Sequence, residues 1–228
     1  MLVILPFEKE FYKKFGFDVE FVGHPLLDAV SDTSLPKTTF DKTKPIIALL
    51  PGSRKQEILE MLPLMLSVKD SYKDYQFIVA GAPSQPASFY EEALKGTGVK
   101  IVFDQTYDLL RQAHAALVTS GTATLEAALL GAPEVVCYKG GRISFMIAKS
   151  LVKVKYISLV NLIMDKVIVT ELIQQELNTP NLKKELDKLL EPSTRAAMLN
   201  NYAELKTKLG GGGASRKAAE SIMRMMKP

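Results

Sequence analysis

The sequence predicts an α/β fold: a doubly wound parallel sheet with helices on both faces. Two observations carry the prediction. Short apolar runs alternate with segments of helical spacing along the first two thirds of the chain. The runs are also continuously apolar rather than alternating with polar residues, which marks strands covered on both faces.

In chain order the strand candidates are LVIL (2–5), VEFV (19–22), PIIALL (45–50), QFIVAG (76–81), VKIVF (99–103), AALVTS (115–120), EVVCY (134–138) and YISL (156–159). Between them, Ile58, Met61, Leu62, Met65 and Val68 mark one helical face, which Pro63 is expected to kink or divide. Leu125, Leu129 and neighbouring alanines mark a second helix, closed by Gly131-Ala132-Pro133. After about residue 160 the pattern turns mostly helical, in ELIQQEL, LKKELDKLL, RAAMLNNYAELKTKL and ASRKAAESIMRMM. Gly210 to Gly213 interrupt this run as a loop or hinge, because four glycines do not sit inside a stable helix.

The 228 residues suffice for one large domain or two small ones, and 47% hydrophobic with 24% charged residues is an ordinary globular balance. A net charge of +4 permits an anionic partner without requiring one. The single cysteine, Cys137, sits in an apolar run, reads as core filling and fits a reducing compartment. No uncharged apolar run approaches the roughly 20 residues of a membrane span. The start lacks a basic region and a cleavage pattern, so it does not read as a signal peptide.

In an open parallel sheet, ligands bind at the carboxyl ends of strands. Three such junctions carry suitable residues. In LLPGSRKQEI, Gly52 turns the chain and Ser53-Arg54 opens a helix. A helix start offers free N–H groups, and an arginine fork suits a phosphate. The spacing is neither that of a P-loop nor that of a nucleophile elbow. Ser53 is expected to be the helix N-cap, and an ordinary capped helix with an exposed arginine is an equal reading of these residues alone.

In VTSGTATLEAALLGAP, Ser120, Gly121 and Thr122 surround a second helix start, with Thr124 beside them and Glu126 further along. Such a carboxylate can accept from ribose hydroxyls while a diphosphate lies on the N–H groups. A capped helix with a solvated glutamate is the plain alternative. In SLVNLIMD, Asn161 follows a strand candidate and suits either a sugar or phosphate oxygen or a helix cap. His24 reads as part of a connector and His114 as a structural residue on a helix; neither has metal-ligand spacing with Cys137. The basic and apolar segment 139–155 places Arg142, Lys149 and Lys153 on one stripe, which suits an anionic membrane surface or a solvated helix face.

The stretches ILPFEKEFY, VEFVGHPLLD, LLPGSRKQEI, TSGTATLEAALLGAP, AKSLVKVKYISLVNLI and TELIQ, in this order, resemble the lipid-A-disaccharide synthases of Gram-negative bacteria. The resemblance covers nearly the whole chain. It implies a GT-B glycosyltransferase whose Rossmann-like C-terminal domain binds the nucleotide sugar. The implied reaction joins UDP-2,3-diacylglucosamine to 2,3-diacylglucosamine 1-phosphate with inversion, releasing UDP in lipid A biosynthesis.

Carried over, Arg54 matches the donor-phosphate arginine, Glu126 the acid near the ribose, and Asn161 the asparagine of a motif in which Val160 here replaces proline. Gly52, Ser53, Ser120, Gly121 and Thr122 complete the implied UDP site. No cofactor and no metal are expected; the UDP-sugar is a substrate. The implied partners are the donor, the lipid acceptor, the inner-membrane surface and a second copy in a homodimer, with no nucleic acid. The implied place is the cytoplasm, at the periphery of the inner membrane.

Residues 1–22 are expected to be the last strand and helix of an acceptor domain, and 23–228 the donor-binding domain with C-terminal helices. The catalytic acid/base is then expected before Met1, and the chain alone is expected to bind UDP without turnover. The alternatives are an enzyme like UDP-N-acetylglucosamine 2-epimerase, another GT-B transferase, or a non-catalytic nucleotide-binding module.

Overall fold

The structure is a computed structural model and describes residues 1–31, 38–41, 43–140 and 155–226. The chain forms two compact units. One joins Met1–Leu35 to Asn200–Pro228, and the other is Pro36–Leu199.

The larger unit carries a six-stranded sheet, all of whose described pairings are parallel. Two further strands, β1 (Leu2–Val3) and β2 (Glu20–Phe21), belong to the smaller unit. The six are β3 (Ile46–Leu50), β4 (Gln76–Gly81), β5 (Lys100–Phe103), β6 (Ala113–Thr119), β7 (Glu134–Tyr138) and β8 (Thr170–Ile173). Their order is β5-β4-β3-β6-β7-β8. The chain starts in the middle, winds outward to one edge, then returns to build the other half. This is the dinucleotide-fold order, with its topological switch between β3 and β6.

Five helices flank the sheet: α3 (Lys55–Leu66), α4 (Ala87–Leu94), α5 (Thr106–Gln112), α6 (Thr122–Leu130) and, after the short α7 (Leu159–Met164), α8 (Thr179–Leu190). Ile46, Ala48 and Leu50 pack into one core with Leu109 and Leu110 of α5 and Ala127 of α6. The alternate residues Ile47 and Leu49 are equally buried. That double burial is why β3 reads as an unbroken apolar run. On α3, Ile58, Met61, Leu62 and Met65 are buried, the stripe expected from their spacing.

The structure departs from the expected elements at five places. Pro63 does not divide α3, which runs on to Leu66, and the Pro63 carbonyl still accepts from Ser67 N–H at 3.0 Å. The bond a proline removes is the one to residue 59, and Leu59 lies on the exposed side, where water can serve its carbonyl. Ser53 is not the N-cap of α3; Arg54 takes that position with extended backbone. YISL is not a strand: Ser158 caps α7, its Oγ accepting from Asn161 N–H at 3.2 Å. The last strand is instead Thr170–Ile173, within a stretch whose spacing suggested a helix, paired to β7 from Val135↔Thr170 onward. His114 lies in β6, not on a helix.

The smaller unit holds β1 paired parallel to β2, with α1 (Glu8–Lys13), α2 (Leu26–Ser31), the end of α9 (Pro192–Lys208) and α10 (Ala214–Met226). The four glycines separate α9 from α10, and Gly210, Gly211 and Gly213 all have positive φ, consistent with the expected loop. Asp28 of the VGHPLLD stretch caps α10, its carboxylate accepting from Gly213 N–H and, at 3.2 Å, from Ser215 N–H. The Gly213 bond is the main reason its carboxyl is held below the usual range.

Candidate functional site

At the carboxyl ends of β3, β4 and β6, a cavity of about 420 Å³ opens at the switch point. Strand connections leave in opposite directions there, so no helix closes the crevice. The structure brings seven of the eight sequence-predicted residues to its wall: Gly52, Ser53, Arg54, Ser120, Gly121, Thr122 and Glu126.

The first wall is the loop after β3. Gly52 has φ +104°, and a Cβ there would lie 2.8 Å from Glu57 Oε2. Only glycine allows both the turn and the close carboxylate. The Ser53 carbonyl accepts from Ser84 Oγ at 2.9 Å and Gln85 Nε2 at 3.2 Å, which staples this loop to the one after β4. Arg54 is solvent-exposed, and its Nη1 donates to Glu57 Oε1 at 2.9 Å. Gly81, the last residue of β4, also needs to be glycine, because a Cβ would meet the Phe103 ring at 2.4 Å.

The second wall is the start of α6. Gly121, its N-cap, has φ 152° and ψ −161°, a region closed to side-chain-bearing residues, with open space beside it. Thr122 follows, exposed. Thr124 Oγ1 turns back to the Gly121 carbonyl at 2.9 Å. The backbone N–H of Ser120 donates to Cys137 O at 3.0 Å, and its hydroxyl to Ile157 O at 3.1 Å. Ser120 therefore shapes the wall with its donors already engaged. The first turn of α6 lines the cavity, and a helix N-terminus favours negative charge.

Glu126 completes that wall. Its Oε1 accepts from Tyr107 Oη at 3.3 Å. Burial raises the Glu126 carboxyl above its usual range, and the Tyr107 hydrogen bond offsets part of this. Burial together with the Glu126 charge pushes the Tyr107 phenol up to about 12. Tyr107 thus stays a neutral donor and leaves the second carboxylate oxygen free of it.

Asn161 does not reach this cavity. It is 1% exposed, and its amide is spent inside the protein. Nδ2 donates to Val169 O at 2.9 Å and Glu171 Oε1 at 2.8 Å, while Oδ1 accepts from Ile168 N–H at 2.7 Å and Val169 N–H at 3.0 Å. Glu171 in turn accepts from the N–H groups of Ile157 and Ser158, each at 3.0 Å. Asn161 and Glu171 together fix the backbone on which the Ser120 hydroxyl rests.

Sequence reasoning missed Glu57, Tyr107, Gly81 and Thr119. Thr119 lines the cavity at 7% exposure, and its Oγ1 has no protein partner among the described residues. Glu57 had a local signal, the acidic third position of a capping pair with residue 54, and Gly81 and Thr119 stand at strand ends; Tyr107 had none. The basic segment 139–155 falls, at residues 141–154, outside the described residues. Among the described residues no cluster of His, Cys, Asp and Glu could hold a metal, and no helix is long and apolar enough to cross a membrane.

A family model described as lipid-A-disaccharide synthetase matches residues 1–226. A lipid-A-disaccharide synthase of Syntrophus aciditrophicus is 38% identical over 242 residues, covering 100% of this chain and 63% of that protein. One of Trichlorobacter lovleyi is 34% identical over 238 residues, covering 99% of this chain and 62% of that one. The chain therefore spans less than two thirds of the length of these relatives. Among solved structures, the UDP-GlcNAc 2-epimerase of Neisseria meningitidis bound to UDP-GlcNAc superimposes with TM-score 0.64 at 17% identity, covering 96% of this chain and 60% of that one. The calicheamicin glycosyltransferase CalG4 gives 0.60 at 15%, covering 100% and 53%. At these identities the two structures establish likeness of fold alone.

Proposed function

The chain belongs to the lipid-A-disaccharide synthetase family, and from that premise we propose that it is the donor-binding part of an inverting glycosyltransferase. The donor is UDP-2,3-diacylglucosamine, the acceptor 2,3-diacylglucosamine 1-phosphate, and the product a lipid A precursor disaccharide. The observation that carries this is the switch-point cavity, which Arg54, the glycine-opened start of α6 and the Glu126 carboxylate line together.

In this proposal the diphosphate lies between Arg54 and the first turn of α6. Gly121 admits it close to the backbone, where N–H donors are worth most in a crevice poor in water. Glu126 accepts from the ribose hydroxyls through the oxygen that Tyr107 leaves open. As the glycosidic bond to UDP breaks, charge grows on the diphosphate, and Arg54 with the helix dipole stabilises that charge. No cofactor enters. Residues 1–22 belong to the acceptor domain, which supplies the base that deprotonates the acceptor hydroxyl. The enzyme works from the cytoplasmic side, at the periphery of the inner membrane.

The test is calorimetric titration of the chain with UDP, beside Arg54→Ala. Binding by the parent chain is expected, with a loss of about tenfold to a hundredfold in the variant, the range of a charge-assisted hydrogen bond. Absence of UDP binding, or disaccharide synthesis by this chain alone, removes the proposal as stated.

A further inference from the structure

We infer that Glu57 is the positioning residue of the candidate diphosphate site: it holds the Arg54 guanidinium by one edge and presents the other to the ligand. The inference rests on the UDP-binding reading above.

Three observations converge on this carboxylate. It grips Arg54 twice, Oε1 accepting from Nη1 at 2.9 Å and Oε2 from the backbone N–H at 3.3 Å. It lies against Gly52, whose missing side chain would place a Cβ 2.8 Å from Oε2 and 3.1 Å from Glu57 Cβ. And it sits in the first turn of α3, where the helix N-terminus favours a negative group. Helix, glycine and arginine thus fix the carboxylate from three sides.

The Arg54 side chain is 83% exposed, while that of Glu57 is 30% exposed. Among the described residues Glu57 is the sole polar partner of the guanidinium. Without it, an exposed arginine samples many rotamers, and ordering it would fall to the ligand. With Nη1 engaged, Nη2 and Nε remain as donors, a fork suited to one phosphate. Residues 52, 54 and 57 all line the same cavity, so the held guanidinium stands at its rim.

Glu57→Gln separates positioning from capping. Glutamine still accepts from the residue 54 N–H, as either residue does in a capping box, but the ion pair is gone. The melting temperature of Glu57→Gln without ligand is expected to fall by no more than a few degrees, since the exposed pair and the charge at the helix start each add little stability. The UDP dissociation constant from calorimetry is expected to rise about fivefold, the upper range of an exposed pair at tenfold per 1.4 kcal/mol. In an Arg54→Ala background, titrated to millimolar nucleotide, the same substitution is expected to change nothing. Unchanged or tighter UDP binding by Glu57→Gln overturns the inference, tighter binding showing that the carboxylate competes with the ligand. An equal loss in the Arg54→Ala background overturns it too, because Glu57 would then act through the helix alone. A parent chain that takes up no UDP removes the function proposed above, and this inference with it.

Discussion

Glu134 opens β7 opposite Ala116 and is wholly buried, and neither carboxyl oxygen has a protein partner among the described residues. Burial alone raises its pKa well above 4.5. Replacing it with methionine, of similar length and without polar atoms, is expected to stabilise the protein. Burying an unpaired neutral carboxyl costs about 1–3 kcal/mol on the mutational scale, and methionine removes that cost.

A second contribution depends on pH. Between the unfolded value and the raised folded value, the native state holds a proton that the unfolded state has released. The Glu134 contribution to stability therefore falls as pH rises above 4.5, by up to about 1.4 kcal/mol per unit, until the folded group itself ionises. Below the unfolded value this contribution vanishes and only the cost of the neutral group remains. Urea denaturation of parent and Glu134→Met at pH 5 and pH 7.5 reads both effects, since other titrations cancel in the difference. The gain in the variant is expected at both pH values and larger at 7.5. A variant less stable than the parent, or a gain that does not grow with pH, would refute the reasoning.

Two further outcomes follow from the site. Gly52→Ala is expected to destabilise the protein by about 1–2 kcal/mol in urea, because its backbone sits at φ +104° and the new methyl meets Glu57; UDP affinity, read by calorimetry, should fall with it. Asn161→Ala is expected to cost about 3 kcal/mol in the same assay, because it strands the N–H groups of Ile168 and Val169 and the Val169 carbonyl in a buried place.

The sheet was legible wherever burial made a strand a continuous apolar run, as in IIALL of β3 and VVC of β7. It was misread at the last strand. Thr170-Glu171-Leu172-Ile173 mixes polar and apolar residues because it pairs only with β7, and in isolation the stretch suits a helix as well. Pairing with β7 decides, and pairing is not a local property. The phosphate-suited junctions were legible because glycine and small hydroxyl residues at a strand end have a local cause. Asn161 was legible as a polar residue in an apolar setting, but its partners Val169 and Glu171 were not, so a buried network looked like a ligand contact. Glu126 was expected as an acid near a ribose or as a solvated glutamate; its donor Tyr107 comes from another helix and left no local trace.

The knot around Asn161 and Glu171 has a kinetic corollary. Two side chains hold four backbone amides, those of Ile157, Ser158, Ile168 and Val169, in segments separated by α7. None of these amides owes its protection to a helix or a strand ladder. In hydrogen–deuterium exchange they should therefore open as one cooperative unit, at a single free energy shared by both segments. The carbonyl that accepts the Ser120 hydroxyl belongs to Ile157, so opening of that unit frees the Ser120 side chain while its N–H stays on Cys137 O.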